Sequence, residues 1–183
     1  MSACSKAGTV KRVVLTSSAA VITVNQLHGK CLVMDEENWS DAEFLTSKKP
    51  LTWHWPRHLT SLITGNELLI IQLKGIQMLS GSISLTHVED VCRAHVFIAE
   101  KESASGRYIC CAVNTSVCEL AKFLNKRYPM YNIPTNFGDF PSEAKLIISS
   151  EKLIKEGFSF KYGIEEIYDQ GVACLKAMGL LQN

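Results

Sequence analysis

Apolar runs change their period along this chain, and each change predicts a different element. Val13, Val14 and Leu15 follow one another without interruption and give way to Thr16, Ser17 and Ser18. An apolar run without alternation predicts a strand buried on both faces, here over Val10–Ser18, with its hydroxyls at the carboxyl edge of a parallel sheet. Open α/β sheets bind ligands at that edge, which makes the serine pair a catalytic candidate. The alternative is that the three hydroxyls end a strand and start a turn.

The remaining pattern alternates strand and helix. Ser2–Lys6 fits the last turn of a helix that Gly8 ends, and Asn25–Asp41, with Asp35, Glu36 and Glu37 in a row, predicts a solvated loop. Leu68–Leu73 predicts a strand and Ser80–Thr86 a second, alternating in polarity from Ser82. Val88, Val91, Cys92, Ile98 and Ala99 carry helix spacing over His87–Lys101, which leaves His87 and His95 as end or boundary residues. Gly106 then precedes a short buried strand over Arg107–Ala112. Ser116 and Glu119 match a capping box ahead of the stripe Leu120, Ala121 and Leu124, and Pro129 stops that helix. Lys145–Ser149 predicts a strand, Ser150–Glu156 a short helix ended by Gly157, and Ile164–Met178 an amphipathic helix closed by Gly179. The class is α/β.

Composition narrows the chemistry mainly by exclusion. The 183 residues are 46% hydrophobic and 20% charged, enough for one globular domain with a sizeable core. Nineteen Lys and Arg against 18 Asp and Glu leave a net +1, so no global field attracts nucleic acid or an acidic membrane. Seven cysteines are an odd number, and the first residues lack an apolar signal core, which points to a reducing, cytoplasmic setting. No apolar run approaches the ~18 residues of a membrane span. Cys92 and His95 are only three apart and Cys110 and Cys111 adjacent, so the thiols read as buried and structural rather than as metal ligands. His54 and His58 are four apart, but Pro56 between them opposes the helix that would bring them to one face.

Several pieces together carry a resemblance. Val10–Ala20, Leu62–Glu67, His87–His95, Glu102–Cys111 and Phe158–Ile164 are similar to the plant flavonoid reductases of the extended short-chain dehydrogenase/reductase superfamily. Phe137–Phe140 and Leu146–Ser150 resemble the anthocyanidin reductase branch more than the dihydroflavonol reductases. The resemblance covers nearly all of the chain except Pro50–Ser61. It implies a partial Rossmann-like, doubly wound parallel sheet plus most of a smaller α/β substrate lobe. Residues 1–60 would be the remnant of the later half of the NADP-binding domain, and 61–183 the substrate lobe with returning Rossmann elements. The implied activity is NADPH-dependent reduction of an anthocyanidin to a flavan-3-ol, with a flavonoid as the small-molecule partner.

The family's chemistry rests on a Ser, Tyr, Lys trio. Ser18 matches the serine, and Thr16 and Ser17 beside it are weaker candidates for the cofactor side. Where the family reads Tyr-x-x-x-Lys, aligning Thr52-Trp53 puts Trp55 and Leu59 at the two positions. An indole N–H does not exchange a proton near neutral pH as a phenol does, and leucine has no charge with which to stabilise a phenolate. After Leu59 the chain jumps to Ser61-Leu62-Ile63, as though a helix, a strand and a loop had been deleted. None of the 11 glycines forms the dinucleotide fingerprint, which predicts that the early nucleotide-binding units are missing too. Three readings follow: an active reductase, of anthocyanidins or of the dihydroflavonol reductase type, a silent flavonoid-binding or interaction fragment that associates with a full-length relative or with itself, and a truncated product without activity. The missing groups favour a chain that does not turn over alone.

Overall fold

The computed structural model describes residues 2–23, 32–41, 43, 62–63 and 67–181. Its elements in chain order are α1 (Ser2–Ala7), α2 (Ala20–Thr23), β1 (Leu32–Met34), α3 (Glu67–Ser80), β2 (Ile83–Leu85), α4 (Val88–Glu100), β3 (Val113–Thr115), α5 (Val117–Arg127), β4 (Leu146–Ile148), α6 (Glu151–Lys155) and α7 (Ile164–Ala177). A single 3-10 turn, Pro129–Tyr131, follows α5. β1 and β4 pair in parallel, Leu32 opposite Leu146, and β2 and β3 pair antiparallel, Ile83 opposite Thr115. Among the described residues no helix is long and apolar enough to cross a membrane.

Three apolar clusters hold these elements. The largest buries Leu73 of α3, Ile83 of β2, Val117, Leu120, Ala121 and Leu124 of α5, and Tyr168 and Val172 of α7, with Leu62 and Ile63 beside them. A second joins Ile22, Met34, Cys111, Leu146 and Ile148 around the parallel pair, and a third packs Ala94 of α4 on Leu153 and Phe158. Sequence-local signals are realised as read. The Ser116 hydroxyl accepts from Glu119 N while the Glu119 carboxylate accepts from Ser116 N, closing the capping box of α5. Gly8, Gly157 and Gly179 all follow helices with positive φ.

Four expectations are corrected. Residues 10–18 form no strand, and Val10, Val13, Val14 and Leu15 are 46%, 50%, 41% and 78% exposed. A run buried on both faces needs a strand on either side, and among the described residues none pairs with it. Leu68–Leu73 lies inside helix α3, where Leu73 and Gln77, four apart, point into the core while Ile71 and Met78 face out. Six apolar residues do not distinguish strand from helix by period, and the 14-residue length of α3 does. Residues 107–112 form no strand: side chains take the place of a partner strand, Ile109 N donating to the Glu36 carboxylate at 2.8 Å and Cys111 N to Ser150 Oγ at 2.7 Å, and only Ala112 N reaches a strand backbone among the described residues, at Leu85 O at 3.1 Å. Lastly, the polar stretch Asn25–Asp41 contains β1, three residues that the charge run beside them concealed.

Candidate functional site

The segment that carries the three hydroxyls lies along α4. The Arg12 guanidinium donates to the carbonyls of Ile98 at 2.8 Å, Ala104 at 3.1 Å and Glu102 at 3.1 Å. Four residues on, Thr16 Oγ1 is 2.7 Å from His95 Nε2. The other ring nitrogen of His95 is 2.7 Å from the carbonyl of Val91, one turn earlier in α4. A carbonyl only accepts, so in the neutral ring Nδ1 carries the proton and Nε2 accepts from the Thr16 hydroxyl. Ser17 and Ser18 are exposed, and the Ser18 carbonyl accepts from Val21 N at 3.1 Å as the chain turns into α2.

A second polar group gathers at the other end of α4. His87 caps the helix: its Nδ1 accepts from Glu89 N at 3.2 Å, which leaves Nε2–H to donate to Gln170 Oε1 at 2.9 Å. The two histidines of one helix therefore hold opposite tautomers. The His87 ring stacks on Tyr162 with centroids 4.0 Å apart. Asp90 is fully buried. Burial would raise its carboxyl, but the N–H groups of Tyr162 and Lys161, at 3.0 Å each, and the Arg93 guanidinium at 2.5 Å outweigh that and hold it below the usual carboxylate range. Its lone pairs are spent on tying the 161–162 loop to α4, which is a structural task.

The cysteines separate by environment. Burial, with Asp90 and Cys111 nearby, pushes the Cys110 thiol up to about 11, so it stays protonated and inert. Cys111 is buried, as expected, whereas Cys92 is exposed on the outer side of α4, against the expectation of a buried thiol. Among the described residues no group of three or more His, Cys, Asp or Glu converges as a metal site.

Of the sequence candidates, Thr16, Ser17 and Ser18 lie together; Trp55 and Leu59, with the whole of 44–61, fall outside the described residues. The hydroxyls do not emerge at a sheet edge, because among the described residues no sheet includes them. Among the described residues hollows lie elsewhere, including one of about 130 Å³ beside Thr23, Gln77, Gly81 and Leu146 and an open groove of about 470 Å³ between α4 and Phe158. Neither is lined by Thr16, Ser17 or Ser18. Sequence reasoning missed Arg12 and His95 as the partners of this segment. Both sit inside pieces that carry the resemblance, but only the fold brings residues 79 positions apart to 2.7 Å.

No family model matches the chain. Anthocyanidin reductase ((2S)-flavan-3-ol-forming) of Vitis vinifera is 59% identical, aligned over 100% of this chain and 67% of its own length. The chain belongs to the anthocyanidin reductase family. The anthocyanidin reductase of Arabidopsis thaliana is 44% identical over 100% of this chain and 66% of its own, and the dihydroflavonol 4-reductase of the same plant 34% identical over 99% and 56%. The chain thus spans about two thirds of the length of its anthocyanidin reductase relatives. Its alignment with the Vitis protein extends over 225 residues against the 183 present here, so at least 42 of the relative's positions have no counterpart within this chain. Two solved structures share the fold. Vestitone reductase from alfalfa superposes with a TM-score of 0.66 at 24% identity, covering 90% of this chain and 64% of its own. The yeast methylglyoxal/isovaleraldehyde reductase Gre2, in complex with NADPH, gives 0.61 at 20% identity, covering 94% and 66%. The architecture is a partial Rossmann-like α/β fold.

Proposed function

We propose that this chain is a catalytically silent member of the anthocyanidin reductase family that keeps the serine of the trio, Ser18, without its proton donor or its lysine. The family reaction is an NADPH-dependent reduction that yields a flavan-3-ol, in line with the name of the Vitis relative and with the NADPH held by the yeast neighbour. One observation carries the reading: at least 42 positions of the relative have no counterpart in this chain. It supports the alignment by resemblance in which Trp55 and Leu59 stand where the family has Tyr and Lys. Ser17 and Ser18 are exposed and line neither hollow, and a flavonoid needs a cleft of roughly 300 Å³ or more around its reacting atom. On this reading residues 1–60 are the remnant of the nucleotide-binding domain and 61–183 the substrate lobe.

A second reading, a flavonoid-binding or interaction fragment that associates with a full-length relative or with itself, is supported by the exposed apolar side chains Val10, Val13, Val14 and Leu15. Titration calorimetry with NADPH, followed by NADPH absorbance in the presence of cyanidin, tests the proposal. We expect neither tight binding nor substrate-dependent oxidation. Cyanidin-dependent loss of NADPH overturns the silent reading, and heat of cyanidin binding without NADPH loss favours the binding fragment.

A further inference from the structure

We infer that Arg12 and His95 are positioning residues that register the Thr16–Ser18 hydroxyls against α4. Residues 10–17 have no strand partner among the described residues, so a backbone ladder does not place them. Two side-chain anchors do. The last carbonyls of a helix lack intrahelical donors and carry the negative end of its dipole. In α4 the Phe97 carbonyl is taken by Lys101 N at 3.0 Å, and that of Ile98 by Arg12. The same guanidinium reaches on to Glu102 and Ala104 in the turn beyond, so one planar fork closes the end of α4 from a segment 86 residues earlier. The guanidinium divides the three acceptors between two nitrogens held in a fixed plane, Nη1 for Ile98 and Ala104 and Nη2 for Glu102, a spacing that the single nitrogen of a lysine lacks.

His95 supplies the second anchor and a direction. Val91 fixes the tautomer of the neutral ring, in which Nε2 accepts and the Thr16 hydroxyl donates to it. Thr16 therefore turns its lone pairs outward, away from α4. The two anchors are four residues apart on the segment and three apart on the helix, with Arg12 nearer the carboxyl end of α4. The segment thus runs antiparallel to α4, and the turn through Ser17 and Ser18 into α2 starts from a fixed point. What the hydroxyls would meet rests on the proposed retention of Ser18; the registration itself does not.

Limited trypsin digestion of the full chain tests this, because trypsin must take the Arg12 side chain into its specificity pocket and the clamp withholds it. Product beginning at Val13 is measured by mass spectrometry, and cleavage after Lys126 in α5 reports global opening. The wild-type bond should be cut at least about tenfold more slowly than in an unstructured peptide of residues 9–18, and Arg12→Lys should recover most of that factor, since cleavage follows the open population. His95→Gln and His95→Asn separate the two bonds of the ring. Glutamine places a carboxamide where Nε2 lies and can still accept from Thr16; asparagine places its N–H where Nδ1 lies and can serve only Val91. We expect Gln to stay within about twofold of wild type and Asn to speed cleavage by about tenfold, with the Lys126 rate unchanged in both. Wild-type cleavage at the peptide's rate, equal rates for Gln and Asn, or protection kept by Asn and lost by Gln would each overturn the inference. Cyanidin titration of the same proteins is the separate arm: no binding by wild type removes the flavonoid reading and leaves the proteolysis result standing.

Discussion

Tyr168 and Asp169 are neighbours on α7 and face opposite environments. Tyr168 is 3% exposed within the largest cluster, and among the described residues its hydroxyl finds no hydrogen-bond partner. Burial pushes that phenol well up, so it is neutral and simply unsatisfied. An orphaned buried hydroxyl costs about 1–3 kcal/mol, so Tyr168→Phe should raise stability by roughly 1 kcal/mol, read as a melting temperature about 2–4 °C higher. A fall of that size would mean that the hydroxyl has a partner in solution. Asp169 instead accepts from Arg127 Nε at 2.7 Å, Arg127 Nη2 at 2.5 Å and the Tyr128 hydroxyl, and these hold its carboxyl down at about 2. A folded-state value below the unfolded one stabilises at pH above about 4, and that contribution disappears as pH falls toward 2. The pair is solvent-screened, so the effect stays under about 1 kcal/mol. Thermal melts between pH 5 and 2 should therefore fall less steeply for Asp169→Asn than for wild type. None of these pairings was legible in sequence: Tyr128 and Asp169 are 41 positions apart, and only the crossing of α5 and α7 brings them together.

At the scale of elements, the junction of α3 with β4 turns on one glycine. Gly81 has φ +75°, donates its N–H to Gln77 O at 2.8 Å and accepts from Lys145 N at 2.8 Å. A Cβ there would lie 2.6 Å from Leu146 Cβ. Strain and overlap act together, so Gly81→Ala should cost about 2 kcal/mol or more, measured as a drop in the urea midpoint with an unchanged slope. What was legible at this scale was whatever the chain encodes locally. The capping box of α5 and the helix spacing of α4 and α7 depend on neighbours in sequence, and all three appear; β2 forms too, but without the alternation of burial that its polarity predicts, since Ser82 is as buried as Ile83. The Val10–Ser18 run and Arg107–Ala112 read as strands because their apolar content suits a sheet interior. Their fate depends on whether a partner strand arrives, and local pattern carries nothing about that. Ser18 was named from the resemblance alone, and its exposed setting was not legible in the sequence.

For the whole molecule, two residues do not stand in for a scaffold. On the proposed alignment the double change Trp55→Tyr and Leu59→Lys rebuilds the family's motif on paper. A phenol, a lysine and Ser18 promote reduction only when held within hydrogen-bond reach of one carbonyl beside the nicotinamide. The family sets its tyrosine and lysine four residues apart on a long helix, and here Pro56 falls between the two positions. The Ser18 side adds its own obstacle, because its segment is registered on α4 and lies outside both hollows. Proximity and orientation supply about 7–11 kcal/mol of barrier lowering, so a trio that is present but unassembled should give no measurable rate. The double variant assayed with NADPH and cyanidin should therefore remain silent. A chimera that restores both the positions without counterpart and the third of the Vitis relative outside the alignment should turn over. Activity in the two-residue variant would mean that the 183 residues already assemble a site around Ser18, and that the proposed silence would rest on two side chains rather than on the positions without counterpart.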